Sequence, residues 1–187
     1  MTECHLLGNG LSIDLAPVTD PDITYGCNFN IPGRPVEALG VTDYLVLKHH
    51  LQHDTVEKIF LTQTLHKRAR TENLIESPFN QYRSVLVEGW DLESRFRRDL
   101  STGHLMAHFL SHRYKTIHLW GFDALFSGDI SSWHDGLYVH DSKASDARDR
   151  WSELWMSLQR KMWETDFILH TYTGSPTDNP LLLKEIF

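Results

Sequence analysis

His5-Leu6-Leu7-Gly8-Asn9-Gly10-Leu11-Ser12 is a short apolar run that stops in a small polar turn, and Ile23-Thr24-Tyr25-Gly26-Cys27-Asn28-Phe29-Asn30 repeats the pattern. Strands that end in Gly, Asn and Ser are how open α/β sheets offer backbone N–H groups and amide side chains to a ligand at the carboxyl edge of the strands. Together the two turns predict an open α/β sheet with a nucleotide-shaped crevice at that edge.

Working outward, further short apolar runs extend the sheet. Strands are predicted over 4–7, 23–27, 43–48, 58–62, 84–88, 116–120 and 167–171. They are nearly continuous in apolar residues, as strands covered on both faces are. Helices are predicted over 103–112, with Leu105, Met106, Phe109 and Leu110, and over 145–163, with Trp151, Leu154, Trp155, Leu158 and Met162 at spacings of three and four. Strands alternating with helices imply parallel pairing through right-handed crossovers. No repeat, low-complexity tract or long Pro/Gly linker divides the chain. The expectation is a single Rossmann-like nucleotide-binding domain over 1–187: a mostly parallel sheet flanked by helices, plus a short lid. The lid is residues 124–140, rich in Ser, Gly, Asp, Trp and His, because an irregular stretch of that length in a compact domain is usually functional or disordered.

Composition narrows the partners. A hydrophobic fraction of 41% with 23% charged residues is that of a soluble globular protein. The formal charge of -7 disfavours a sequence-independent duplex-binding surface, which needs clustered Lys and Arg. No apolar run approaches the roughly 18 residues of a membrane span, and Met1-Thr2-Glu3-Cys4 lacks a basic leader. Cys4 and Cys27 fall in predicted strands, which favours buried thiols over a disulfide. A cytoplasmic location follows as the expectation.

The residues in order resemble the bacterial lipooligosaccharide sialyltransferases. Gly8-Asn9-Gly10-Leu11-Ser12 resembles their G-N-G-P-S opening, and Cys27-Asn28-Phe29 resembles their second-strand C-N turn. Ser101-Thr102-Gly103, then Tyr114-Lys115-Thr116-Ile117-His118-Leu119-Trp120-Gly121-Phe122-Asp123, resembles their T-S-G helix and the Y-K-E-I-x-L-x-G-x-D strand after it. Tyr138-Val139-His140-Asp141-Ser142-Lys143 resembles the segment that holds the family's catalytic histidine, and Phe167 to Leu183 resembles the final strand, loop and helix. The chain departs at Leu11, where the family has Pro, at the reversed Ser101-Thr102 order, at the extra Asp141, and at Lys48 or His49, where the family places a donor-binding asparagine. These changes touch sialic acid specificity more than nucleotide binding.

The resemblance implies transfer of a sugar from a nucleotide donor, of the cytidine monophosphate (CMP)-sialic acid kind, to a hydroxyl of a glycan or other acceptor, with no cofactor and no metal. His140 would be the general base, since His has a pKa near the operating pH, and Tyr138 would hold the leaving phosphate. His134, between Trp133 and Asp135, is the second candidate base. Donor-binding residues would be Gly8, Asn9, Gly10, Ser12, Asn28, Phe29, Asn30, Ser101, Thr102, Gly103 and Asp123. In their own chemistry, Asn9 is expected to donate to the phosphate, the glycines to let the backbone come close, and Ser12 to cap a helix. Asn28 and Asn30 bring mixed donors and acceptors suited to a hydroxyl-rich ligand.

Other clusters read as structural. His104, His108 and His112 recur every four residues on one helix face but span too far for one ion, so a solvated or partly packed face is expected, with His104 nearest the ligand. The basic run His66-Lys67-Arg68-Ala69-Arg70 and the group Arg95, Arg97 and Arg98 read equally as phosphate attractors or as soluble loops. Trp151, Trp155 and Trp163 read as helix packing on the sheet or on another subunit, which leaves a homo-oligomer open. Two alternatives to sugar transfer stay open: a magnesium-dependent nucleotide-binding enzyme, similar to the 6-hydroxymethylpterin diphosphokinases that share a G-x-G-P-S opening, and a non-catalytic nucleotide-binding protein of the same fold.

Overall fold

The computed structural model of the chain describes residues 2–17, 20–53, 58–74, 82–85, 101–123, 144–172 and 178–186. Its strands are β1 (Glu3–Leu7), β2 (Thr24–Cys27), β3 (Ala38–Val41), β4 (Ile59–Thr62), β5 (Tyr82–Val85), β6 (Thr116–Trp120), β7 (Asp166–Tyr172) and β8 (Asp178–Leu182). Its helices are α1 (Tyr44–His53), α2 (Gln63–Thr71), α3 (Thr102–Ser111), α4 (Ala144–Lys161) and the short α5 (Leu183–Ile186). They form an 8-stranded sheet in the order β5-β4-β3-β2-β1-β6-β7-β8. Every pair is parallel except β7 with β8, which is antiparallel. This is a Rossmann-like α/β sheet with helices on both faces.

Strand alternation sorts the core into the two faces. Cys4, Leu6, Tyr25, Cys27, Ile117, Leu119, Phe167 and Leu169 pack against Met106, Ala107 and Leu110 of α3 and Trp155 and Leu158 of α4. Fully burying one such side chain stabilises the fold by about 1.5–3 kcal/mol. Leu39, Val41, Ile59 and Leu61 point the other way, onto Val46 and Leu47 of α1 and Leu65 and Ala69 of α2. Both cysteines are buried free thiols, pushed above their ordinary range by burial. Trp155 is core, while Trp163 is 71% exposed. Among the described residues no helix is long and apolar enough to cross a membrane.

The structure corrects the sequence reading at three elements. Residues 43–48 open helix α1, because the Asp43 carboxylate accepts from the backbone N–H groups of Leu45 and Val46 at 2.7 and 3.4 Å and starts a helical turn. A four-residue apolar run is ambiguous by period alone. The strand lies just before it, at Ala38-Leu39-Gly40-Val41, where Gly40 lowers the strand propensity because the Met106 side chain occupies the space of a Cβ. The basic run 66–70 is helical: Thr62 caps α2 by accepting from Leu65 N at 3.2 Å, and Leu65 and Ala69 turn inward. Arg68 pairs with Glu72 and lies over the Tyr44 ring.

Candidate functional site

The strand order fixes where a crevice can open. From β1 the chain steps outward through β2, β3, β4 and β5, then returns to lay β6 on the other side of β1, so the topological switch point lies between β1 and β6. Open α/β sheets bind ligands at that point, outside the carboxyl ends of the strands. The segments beginning at Gly8, Asn28, Thr42 and Gly121 all leave carboxyl ends there, and α3 begins at the same edge, where Thr102 bonds to Asn28.

The first turn is closed onto the loop after β6. Gly8 N donates to Trp120 O at 2.6 Å, Gly10 N to Gly121 O at 2.8 Å, and Ser12 N to Asp123 Oδ2 at 2.9 Å. A Cβ at Gly8 would run into the Gly121 carbonyl, one at Gly10 into the Asp123 carboxylate, and Gly121 itself has φ +73. These glycines let the two chain segments meet, and the N–H groups of Gly8 and Gly10 are engaged within the protein. Ser12 is likewise no helix cap: its buried Oγ donates to His170 O at 3.3 Å and accepts from Gly121 N at 3.2 Å. Asp123 clamps the turn. Asn9 Oδ1 is buried with no hydrogen-bond partner among the described residues, an unsatisfied acceptor within the turn.

The second turn is wired to α3. Asn28 sits at φ 65, a left-handed conformation that Asn tolerates, with its N–H donating to Gly40 O at 2.8 Å and its carbonyl accepting from His50 Nε2 at 2.5 Å. Its Oδ1 accepts from Thr102 Oγ1 at 2.8 Å. Because the Thr102 proton goes to Asn28, the 2.6 Å contact between Thr102 and Thr42 has Thr42 as donor. The relay Thr42 to Thr102 ends on Asn28 Oδ1, so the NH₂ is the donor end of that side chain. Beside it, Ser101 Oγ lies 2.7 Å from His104 Nδ1, and His104 Nε2 lies 3.2 Å from Trp151 O. Ser101 is the N-cap residue of α3, yet its side chain makes no capping bond.

The remaining sequence-predicted residues separate clearly. Gly103 brings α3 against the Phe122 ring, and Asn30 ends the second turn, half-buried. Phe29 is core, packed with Leu39 and Val41 and near the rings of His49 and His50. His104 does not face a ligand: it is buried and its ring packs at 4.7 Å from that of Trp155. His108 is buried too, while His112 is exposed. Burial drives both His104 and His108 down to about 4, with His112 and Lys161 adding to the shift at His108. Tyr138, His140, His134, Asp141, the lid 124–140 and the arginines at 95, 97 and 98 lie outside the described residues.

Sequence reasoning missed Thr42, because the strand before it was not recognised, and His50, which belonged to a misread helix. It also missed a floor under the first turn on the sheet's other face. There Trp120 stacks on His170 with centroids 3.5 Å apart, His118 Nδ1 and His170 Nε2 are hydrogen-bonded at 2.9 Å, and Trp120 Nε1 donates to His5 Nδ1 at 3.1 Å. Burial first, then His118, pushes His5 down to about 4. Alternation in strands 4–7, 116–120 and 167–171 already places these side chains on one face. Among the described residues no group of three or more His, Cys, Asp or Glu is placed to hold a metal ion. Comparison of the chain with protein-family models, with curated proteins and with solved structures gives no match.

Proposed function

We propose that the chain binds a pyrimidine nucleotide sugar at the switch point between β1 and β6 and transfers the sugar to a hydroxyl acceptor. One observation carries the reading: the Asn9 turn, the Asn28 turn and the start of α3 converge on the carboxyl edge where such sheets hold nucleotides. Asn28 and Asn9 supply amides to the hydroxyl-rich part of the donor. The sialyltransferase resemblance supplies the chemistry. His140 removes the acceptor proton as the bond to phosphate breaks, Tyr138 steadies the departing phosphate, and the lid keeps water from the activated sugar.

A thermal-shift panel of CMP, UMP, CTP, AMP and ATP, with and without magnesium, tests this reading. At one hundred times its Kd a ligand stabilises the folded state by about 2.7 kcal/mol, which raises the melting temperature of a chain this size by roughly 5–10 °C. CMP is expected to give that shift without magnesium. A shift only with a triphosphate and magnesium would mark the diphosphokinase-like relative instead, and no shift with any nucleotide would remove the site.

A further inference from the structure

We infer that His104 is a positioning residue that turns the Ser101 proton inward, so that Ser101 Oγ meets the ligand as an acceptor only and selects a hydroxyl or amine of the nucleotide over a phosphate oxygen. The inference rests on the nucleotide reading and adds which part of the ligand this corner takes.

The proton positions follow from the partners. Trp151 O is a carbonyl and only accepts, so the 3.2 Å contact places a proton on His104 Nε2. The ring is fully buried against Trp155, where an imidazolium is disfavoured, so it is neutral and Nδ1 carries a bare lone pair. Ser101 Oγ, 2.7 Å away, must donate to it. Its remaining lone pairs accept. The neighbouring hydroxyls follow the same rule, since Thr102 donates to Asn28 Oδ1 and Thr42 donates to Thr102. All three hydroxyls of this corner have protein acceptors for their protons, and oxygen lone pairs repel a phosphate oxygen while welcoming an O–H or N–H. Ser101 is itself only partly buried at the carboxyl edge, and the packed His104 ring holds the arrangement.

Calorimetry with matched ligands decides the matter. CMP is compared with its 2′-deoxy-2′-fluoro and 3′-deoxy-3′-fluoro analogues, each of which replaces one hydroxyl donor by fluorine, and with UMP, which replaces the N4 amine by a carbonyl and turns N3 from acceptor to donor. On the wild-type chain at least one replacement is expected to weaken binding by about 10-fold or more. The same pair should differ by less than about 3-fold in Ser101→Ala, and also in His104→Leu, where the Ser101 proton is released to the ligand. His104→Asn offers an oxygen to Ser101 and should restore the preference. Equal affinity for all four ligands on the wild-type chain, or an undiminished preference in Ser101→Ala, overturns the inference while leaving the nucleotide reading standing. Should none of the four bind, the nucleotide reading falls and takes the inference with it. The wild-type and Ser101→Ala comparisons decide the outcome even where His104→Leu does not fold.

Discussion

Acidification from pH 7 to pH 4 is expected to remove about 3 kcal/mol of stability through His104 alone, because burial lowers this imidazole from 6.5 to about 4. The folded chain holds His104 neutral, so as pH falls the unfolded chain takes up the proton first. The contribution is therefore complete above pH 6.5 and is lost progressively down to the folded value near 4. His5 and His108, also lowered to about 4, act in the same direction, and His5, only half-buried, adds less. Urea unfolding of the wild type and His104→Asn at several pH values isolates the term. The variant is expected to be less stable at pH 7 and to close most of that gap by pH 4. A gap that stays constant across this range would show that His104 keeps an ordinary proton affinity in the folded chain.

Replacing His140 with Ala is expected to cut sugar transfer about 10²- to 10⁴-fold, the usual contribution of a positioned general base, while leaving nucleotide affinity nearly unchanged. The split follows from the proposed division of labour. Nucleotide contacts come from the turns at Asn9 and Asn28 and from α3, whereas the base acts only on the acceptor hydroxyl. Steady-state kinetics with a CMP-linked donor, paired with a binding titration, separates the two effects. Full transfer activity in the variant would move the base elsewhere, with His134 next, and an equal loss of nucleotide affinity would make His140 a donor contact instead.

The parallel sheet was legible because β1, β2, β6 and β7 are short apolar runs cut off by turn residues, and their shortness and flanking turns settle what period alone leaves open. It failed at β3, where Gly40 answers to Met106 of α3, a tertiary demand invisible in local sequence. Misreading β3 hid Thr42 and with it the relay that orients Asn28. The polar turns at Gly8 and Asn28 were located correctly, but their wiring was not readable. Strand order is set by how crossovers pack, so nothing local told that the loop at Gly121 would absorb the donors of Gly8 and Gly10. His104 shows the same limit. Its spacing suggests a row of similar imidazoles, and only α4 packing across α3 seals His104 completely and directs its Nε2 to Trp151.

Calorimetric titration of CMP into the wild-type chain and into Asn28→Gly tests the nucleotide site most directly. Glycine adopts the φ of 65 at this position without strain, so the substitution removes the amide and leaves the turn. Wild type is expected to bind, and Asn28→Gly to bind weaker by about 1–3 kcal/mol, the cost of leaving ligand polar groups unpaired. Absence of binding to the wild type, or identical affinity in the variant, would contradict a nucleotide held between the Asn28 turn and α3.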